Sequence, residues 1–256
     1  MIQHTDLFDY GFELATGLDI GKRRQANQDQ VIACPELGFF AVSDGMGGLA
    51  FGAETSDMIA RVLPGFVAEA AKEIKGKNSN SALKGILRAV KTISDQIYEA
   101  CNTSGYFSYG ATLCCVWLIG NQAVFVNLGD SRGYHLPKFK RTLRQVTDDH
   151  NIAGIKYRNG LITKQEAQND PSSSGLTRFV GMEVPALPDS FIVDIAAGDR
   201  LLLCSDGLYG LVDESGLRLL MRSSRSPERV VNNLIAAANE NGGRDNISAV
   251  YIKIAQ

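Results

Sequence analysis

The chain has 256 residues, of which 45% are hydrophobic and 21% are charged, an ordinary composition for a globular protein with a full core. Its 26 basic and 28 acidic side chains nearly cancel, so the net charge provides no field for nucleic acid or an anionic membrane. There is no apolar run of the roughly 20 residues that a membrane helix needs, and we see no signal peptide at the start.

The cysteine content indicates a reducing environment. There are five cysteines, an odd number, and no C-x-x-C pair occurs among them. Three of them, Cys114, Cys115 and Cys204, lie in apolar, strand-like runs, where reduced core residues are the simplest interpretation. We therefore expect a cytoplasmic protein with neither a nucleic-acid nor a membrane partner.

The first half of the chain predicts strands, then two helices, then strands again. The helices are expected at residues 53–74 and 81–102, which carry apolar residues at helical spacing, with Ser81 as the N-cap of the second. A hairpin signal, Gly120-Asn121, separates two of the later strands. The predicted strands lie at residues 12–20, 30–34, 39–43, 111–119, 122–128, 133–136 and 142–146.

The second half begins with a long polar stretch, residues 147–190, which holds three of the seven prolines. One short helix is expected there at residues 163–169, capped by Thr163 with Glu166 three residues later. So long an irregular insertion is usually functional. The remaining predictions are strands at 191–195, 200–205 and 247–254 and helices at 213–222 and 227–241.

These elements predict an α+β fold. Most strand connections are short, so the sheets should be antiparallel. Two separated pairs of helices need two sheet faces to cover, which gives a four-layer α-β-β-α sandwich. We expect one domain, residues 1–256, with a flap inserted at about residues 147–190.

Four aspartates lie at strand ends. Asp44, Asp130 and Asp206 each follow an apolar run and stand among glycines, and Asp245 comes just before the last strand. If that strand is antiparallel to the others, all four carboxylates meet at one sheet edge, where they repel one another unless cations are present. Oxygen-only clusters select Mg²⁺ or Mn²⁺. The pattern therefore predicts a metal-dependent hydrolase.

A family resemblance sharpens this prediction. In order and spacing, six short blocks closely resemble the PP2C-type (PPM) metal-dependent protein serine/threonine phosphatases in their compact bacterial form. The blocks are residues 21–29, 44–48, 109–113, 129–133, 204–208 and 243–247. The resemblance runs from about residue 17 to residue 254. It implies hydrolysis of phosphoserine and phosphothreonine in proteins by a metal-activated water, in a cleft between the two sheets.

The resemblance also implies which residues hold the ions, two core Mg²⁺ or Mn²⁺ and a weaker third. Asp44 would bridge both core ions, and the Gly45 carbonyl would bind the second. Asp206 and Asp245 would complete the first. Asp130, together with Asp206, matches the third-metal site of bacterial members.

Two further residues take roles by the same resemblance. Asp29 would orient the attacking water from behind the metal ligands. Arg24 matches the arginine that grips the substrate phosphate, for which a bidentate guanidinium is well suited. The partner would be a phosphorylated protein, a serine/threonine kinase or its target, and we expect the enzyme to act as a monomer.

The sequence departs from the family pattern at several places. Met46 stands where many eukaryotic members have a histidine proposed as the general acid, so water would protonate the leaving group. Gln28 replaces a frequent glutamate, which removes one possible outer carboxylate from the second metal site. Gly210 replaces an acid sometimes found at that position, which weakens the expected third site. Residues 169–171 read Asn-Asp-Pro where Asn-His-Pro is usual, so substrate recognition by the flap stays open. His150 could approach the cleft, but we expect a structural or solvated role.

Other interpretations remain open at this stage. The chain could be a non-catalytic member of the same fold, although it retains every core aspartate. Structural Ca²⁺ binding is a second alternative, but the EF-hand pattern is absent. Trp117 is expected in the core, and the basic turn at residues 138–141 reads as a solvated tip.

Overall fold

The computed structural model of the chain describes residues 1–47, 51–104, 109–183, 185 and 187–255. Gly48, the last glycine of the 44–48 block, lies outside these residues, as does the side chain of Cys101. The strands are β1 Phe12–Asp19, β2 Asp29–Cys34, β3 Phe39–Met46, β4 Gly110–Ala111, β5 Leu113–Ile119, β6 Gln122–Leu128, β7 Arg132–Leu136, β8 Arg144–Gln145, β9 Asp189–Asp194, β10 Arg200–Cys204 and β11 Ile247–Ile254. The helices are α1 Phe51–Glu73, α2 Ser79–Ser104, α3 Ile152–Arg158, α4 Lys164–Asn169, α5 Asp206–Tyr209, α6 Glu214–Leu220 and α7 Pro227–Glu240.

The strands form two antiparallel sheets, as expected. The first sheet has the order β1-β11-β10-β7-β8, and the second has the order β2-β3-β5-β6-β9, with β4 paired to β3. The hairpin signal at Gly120-Asn121 does join β5 to β6. In the first sheet β10 and β11 run antiparallel, so the end of β10 and the start of β11 lie at the same edge. This is the condition under which the strand-end aspartates can meet.

Three apolar layers hold the sandwich together. Between the sheets, Phe12 and Phe40 meet edge to face with their ring centroids 5.5 Å apart. Helices α1 and α2 cover the outer face of the second sheet, where Trp117 is fully buried and donates a hydrogen bond to the Leu37 carbonyl. Helices α5, α6 and α7 cover the outer face of the first sheet, around buried residues such as Leu234. The α-β-β-α prediction is confirmed.

The segment at residues 147–190, which was predicted to be a flap, contains more structure than the sequence predicted. Helix α4 has the expected capping box, with Thr163 and Glu166 bonding each other's backbone amides. Helix α3 was missed, although Asn151 caps it in the ordinary way. It has only seven residues, too few for a clear apolar period.

Two other boundary predictions were wrong. Ser81 is not the N-cap of α2: this helix starts at Ser79, and the Asn78 side chain accepts a hydrogen bond from the Ser81 amide. The strand expected at residues 142–146 is reduced to Arg144–Gln145.

Four cysteines, Cys34, Cys114, Cys115 and Cys204, are buried and unbonded, as expected for reduced core residues. None of the described helices combines the length and apolar character that crossing a bilayer requires.

Candidate metal centre

The two sheets place the predicted carboxylates in one cleft. Asp44, near the end of β3, comes from the second sheet, whereas Asp206 and Asp245 flank β10 and β11 of the first. Asp130 follows β6, in the loop that crosses to β7. All four line a cleft of about 360 Å³, together with Arg24, Gly45 and residues of the flap. The expectation that distant aspartates converge at one end of the sandwich therefore holds for the described residues.

The cleft carboxylates raise one another's pKa. Desolvation raises the pKa of Asp44 well above its usual value, and the charges of its neighbours raise it further. Asp206 behaves in the same way, with desolvation first and the charge of Asp130 next. Desolvation also raises the pKa of Asp130 to about 6, with Asp149 adding to the effect. Ionised carboxylates here lack sufficient counter-charge, which a bound cation would supply.

Carboxylate oxygens without hydrogen-bond partners also occur at this cleft. Asp206 Oδ1 is buried and has no hydrogen-bond partner among the described residues, and Asp29 Oδ1 is in the same state. A buried acceptor without a partner is costly. A hard cation satisfies such oxygens, and the donor set of the cleft is oxygen only, as Mg²⁺ and Mn²⁺ prefer. The residues present therefore fit the group that the resemblance implies.

Gly45 lies where neighbouring backbone leaves no room for a side chain. A Cβ added there would stand 2.0 Å from the Gly52 carbonyl oxygen and 3.0 Å from that of Gln28. Only glycine allows this close approach of backbone at the cleft wall.

The described carboxylates of the cleft are not grouped tightly around one point. Within residues 1–47, 51–104, 109–183, 185 and 187–255, no three His, Cys, Asp or Glu side chains are grouped so that they could hold one ion. Arg24 Nη2 donates to Asp245 Oδ2 at 2.6 Å. The other oxygen, Asp245 Oδ1, accepts from the Asn246 amide. Both oxygens of Asp245 are therefore engaged.

Arg24 itself lies where a phosphate could reach it. Its side chain is 43% exposed, and it lines the cleft beside the carboxylates. The hydrogen bond to Asp245 raises the pKa of Arg24, and the charges of Asp245, Asp44 and Asp206 add to this. A guanidinium held by one carboxylate at the mouth of the cleft can exchange that partner for phosphate oxygens.

Asp29 lies behind the cleft and joins the two sheets. It stands directly opposite Asp44 across β2 and β3, and its Oδ2 accepts from Ser205 Oγ at 2.6 Å. Desolvation raises the pKa of Asp29 to about 6, while the hydrogen bond from Ser205 opposes the rise.

Asn246 is a residue that the sequence reasoning missed as a functional support. Its Oδ1 accepts from the Gln28 amide at 2.8 Å, and its Nδ2 donates to the carbonyls of Ile20 and Ala26. One buried side chain thus ties the loop that carries Arg24 to the segment that carries Asp245. Its position directly after Asp245 in the 243–247 block was the available signal.

Asp130 is supported by a buried ion pair that the sequence reasoning also missed. Arg132 bonds Asp149 through two hydrogen bonds, from Nε at 2.9 Å and from Nη2 at 2.6 Å. The same guanidinium lies 3.6 Å from the centroid of the Tyr209 ring, and the Tyr209 hydroxyl donates to the Asp130 carbonyl. On the flap side, Asn151 Nδ2 donates to Asp130 Oδ2 at 3.2 Å.

His150 has the structural role that we expected. The ring is fully buried, its Nδ1 accepts from the Gly129 amide, and its Nε2 bonds Asp189 Oδ2 at 2.9 Å. It does not line the cleft. The flap instead contributes Ser174 and Leu176 to the cleft wall.

Comparison with solved structures places the fold among bacterial serine/threonine phosphatases. Phosphatase Stp1 from Staphylococcus aureus superimposes with a TM-score of 0.87 over 99% of each chain, at 25% sequence identity. The catalytic domain of the serine/threonine phosphatase PstP, solved with two manganese ions, gives a TM-score of 0.81 at 28% identity and covers 96% of this chain and 99% of that one.

Sequence comparison identifies the family. The family model described as "Protein phosphatase 2C" matches residues 17–241. The serine/threonine phosphatase stp of Listeria welshimeri is 35% identical over 214 residues, which is 83% of this chain and 82% of that protein. The chain belongs to the protein phosphatase 2C family and is a serine/threonine phosphatase of the bacterial form.

Proposed function

We propose that this phosphatase hydrolyses phosphoserine and phosphothreonine in proteins in a reaction that depends on Mg²⁺ or Mn²⁺, with two core ions and a weaker third. The observation that supports this most strongly is the buried carboxylate cluster, in which one oxygen of Asp206 has no hydrogen-bond partner among the described residues. Such a cluster is unfavourable by itself and becomes favourable around divalent cations.

The ions would be held by the residues that the resemblance assigns. Asp44, the Gly45 carbonyl, Asp206 and Asp245 would hold the core pair, and Asp130 would hold the third together with Asp206. When bound, such ions neutralise charge on a phosphoryl group and lower the pKa of water. Coordination of an ion by Asp245 Oδ2 would compete with its hydrogen bond to Arg24, and this competition would make the guanidinium available to phosphate.

The chain's own residues would then orient the reactants. Arg24 would hold two phosphate oxygens through its fork of N–H donors. Ser205 holds the Asp29 carboxylate through Oδ2, and Asp29 Oδ1 has no partner among the described residues. Oδ1 would accept a hydrogen bond from the attacking water and fix the orientation of that water. Met46 has no acidic proton, so the proton for the leaving serine or threonine oxygen would come from water in the cleft.

We also propose a setting for the enzyme. A serine/threonine phosphatase acts on residues that a serine/threonine kinase has phosphorylated, so its substrate would be such a kinase or its target. We propose that it acts in the cytoplasm as a monomer, and light scattering of the purified chain would test the monomer.

Removing metal-site carboxylates tests the proposal. We expect Asp44→Asn and Asp206→Asn each to lower Mn²⁺-dependent hydrolysis of p-nitrophenyl phosphate and of phosphoserine peptides by at least about 100-fold. Asp57→Asn is the matched control, because Asp57 is an exposed partner of Arg61 on α1. Full activity in both cleft variants would refute the site. Phosphotyrosine peptides test the substrate class, and activation by Mn²⁺ but not by Ca²⁺ would exclude the calcium alternative.

Arg24→Ala tests phosphate binding separately. We expect KM to rise about tenfold or more with a smaller change in kcat, because the guanidinium would bind phosphate in the ground and transition states alike. Arg23→Ala removes the same charge from the neighbouring position and should leave KM unchanged. An unchanged KM in Arg24→Ala would show that this arginine does not contact the substrate.

A further inference from the structure

A basic pocket lies at the end of the first sheet that is farthest from the carboxylate cleft. Arg200 begins β10 and Lys253 lies near the end of β11, whereas Asp206 follows β10 and Asp245 precedes β11. Six residues of extended chain separate Arg200 from Asp206, which is roughly 20 Å. The pocket has a volume of about 420 Å³, and its lining includes Lys138, Arg200, Lys253, Glu13, Ile2 and Ile254.

The strand register puts like charges side by side in this pocket. Lys253 stands opposite Glu13 of β1 on one side and opposite Arg200 of β10 on the other. Glu13 is the carboxylate in the described lining of the pocket, and its charge is neutralised by an ion pair with Lys253. Like charges directly opposite each other on neighbouring strands are destabilising. Arg200 therefore adds a positive charge that its cross-strand neighbours do not neutralise.

Arg200 has neutral hydrogen-bond partners. Its Nη1 donates to the Gly198 carbonyl at 3.1 Å, and its Nε is buried without a partner. It also interacts with the Tyr251 hydroxyl. Within the part of the chain that the structure describes, no carboxylate pairs with Arg200.

Lys138 contributes a second unneutralised charge. Its side chain packs across Gly198, where an added Cβ would stand 2.5 Å from Lys138 Cδ. Its Nζ lies 5.0 Å from the centroid of the Phe139 ring and has no carboxylate partner in the described residues. The nearby carboxylate of Asp199 is buried and is already bound to His135 and to the Lys138 backbone amide.

The surrounding turn extends the positive surface. Arg222 Nη2 donates to the carbonyls of Pro137, Lys138 and Lys140, which holds the basic turn at 138–141 in place. Desolvation lowers the pKa of Arg222, and the charges of Arg200 and Arg218 lower it further, as expected where positive charge accumulates. The basic turn is solvent-exposed, as expected, and Arg222 fixes its backbone beside the pocket.

We propose that the basic pocket binds a phosphoryl group at a site separate from the catalytic cleft. Among the lining residues that the structure describes, the charges of Arg200 and Lys138 remain after the Glu13–Lys253 pair, and together they match a phosphate dianion. Arginine provides N–H donors in a fork that fits tetrahedral oxygens, and lysine provides a point charge. The source is either free phosphate, which a phosphatase releases, or a phosphorylated residue of the protein that it processes.

The test is a titration of the Mg²⁺-loaded, full-length protein with inorganic phosphate, followed by the backbone amide resonances of each site. We expect saturating shifts at Gly198 and Arg200, distinct from those at Gly45 in the cleft. Lys138→Gln should weaken binding at the pocket about fivefold and leave the cleft unchanged. Arg200→Gln should weaken it by more. Lys91→Gln on α2, where Lys91 pairs with Asp95, removes the same charge elsewhere and should have no effect.

A second arm distinguishes the two sources. Inorganic phosphate should shift the Gly198 and Arg200 amides for either source. A peptide with a non-hydrolysable phosphonate in place of phosphoserine should saturate them at a lower concentration than inorganic phosphate if the source is a protein segment, and at no lower concentration if the source is the released product. The proposal is overturned if the Gly198 and Arg200 amides show no saturating shift with phosphate. It is equally overturned if Lys138→Gln and Arg200→Gln bind phosphate at the pocket as tightly as the wild type does. It is also overturned if these amides respond to anionic lipid vesicles but not to phosphate. Loss of phosphate response in the cleft alone would count against the proposed function and not against this pocket.

Discussion

Asn151 joins the flap to the candidate metal centre through one side chain. Its Oδ1 accepts from the Gly154 amide at 2.7 Å and caps α3, while its Nδ2 donates to Asp130 Oδ2 at 3.2 Å. Because both atoms belong to one planar amide, the rotamer that caps the helix also aims the donor at Asp130. The start of α3 and the orientation of Asp130 are therefore set together.

Two substitutions separate these contacts. Asn151→Ser keeps a capping oxygen but is too short to reach Asp130, whereas Asn151→Ala loses both. We expect both variants to weaken Mn²⁺ binding by roughly tenfold in calorimetry, as loss of a support to a metal ligand usually does. Only Asn151→Ala should speed hydrogen exchange of the α3 amides, by about fivefold for a lost cap worth ~1 kcal/mol. Equal hydrogen exchange of the α3 amides in the two variants would show that the cap and the Asp130 contact are not separable in this way.

His150 makes stability depend on pH. Desolvation lowers the pKa of His150, the charges of Arg178 and Arg158 lower it further, and Asp189 opposes them. The unfolded chain therefore takes up the proton more readily, so the neutral ring stabilises the fold above about pH 6.5, and this contribution is lost as the pH falls below that value.

His150→Asn tests this dependence, since Asn Oδ1 can replace Nδ1 as acceptor for the Gly129 amide. Urea unfolding at about pH 7.5 and about pH 5.5 should show the wild type losing more stability on acidification than the variant does. If the free energy of unfolding falls equally in both proteins on acidification, groups other than His150 cause the acid sensitivity.

At the scale of elements, two glycines on α1 and α2 form a matched pair. Gly65 on α1 has open space where a Cβ would be, whereas a Cβ at Gly85 on α2 would stand 2.6 Å from the Ala70 Cβ of α1. Gly85 therefore permits the close approach of the two helices, and Gly65 has no such role.

We expect Gly65→Ala to raise the free energy of unfolding by about 0.5–1 kcal/mol through helix propensity. Gly85→Ala should lower it by about 1 kcal/mol, because overpacking between the helices exceeds the same gain. Urea unfolding of both variants measures the difference, and stabilisation by both would show that α1 and α2 can move apart freely.

The elements that the sequence predicted well are those with a strong local pattern. Strands β5 and β6 are continuous apolar runs around a Gly-Asn turn, and α7 starts at a proline and ends at glycines. The missed helices, α3 and α5, have seven and four residues, too short to be stable without tertiary contacts. Asn78 was missed as a cap because Ser81 is an equally good capping residue by type.

At the scale of the whole molecule, the sequence predicted which carboxylates meet but not how they are supported. Asp44, Asp130, Asp206 and Asp245 were found because each stands at a strand end, and antiparallel pairing brings such ends together. The contacts of Asn151 and Asn246 join residues far apart in sequence, so only the packed fold reveals them. The engagement of Asp245 by Arg24 likewise depends on distances that no motif encodes.

The charge of the cleft predicts a reversal of stability on metal removal. Ionised Asp206 is unfavourable in the metal-free fold, so Asp206→Asn should melt higher than the wild type in EDTA. We expect roughly 3 °C, the shift that about 1 kcal/mol produces in a chain of this size. Millimolar Mn²⁺ should raise the wild-type Tm more and reverse the order. Scanning calorimetry with Asp57→Asn as control tests this, and a variant that melts lower in EDTA would contradict it.

The division of the carboxylates between two sheets has a consequence for how activity is acquired. Asp29 and Asp44 belong to the second sheet, whereas Asp206 and Asp245 flank strands of the first. Neither sheet alone carries all four carboxylates, so under the proposed function the enzyme would become competent only when the two layers have docked. After dilution from urea, circular dichroism should therefore recover before turnover does, because hairpins and helices form faster than layers assemble. The rate at which catalytic turnover recovers would thus report the rate at which the two sheets dock, the last step of folding.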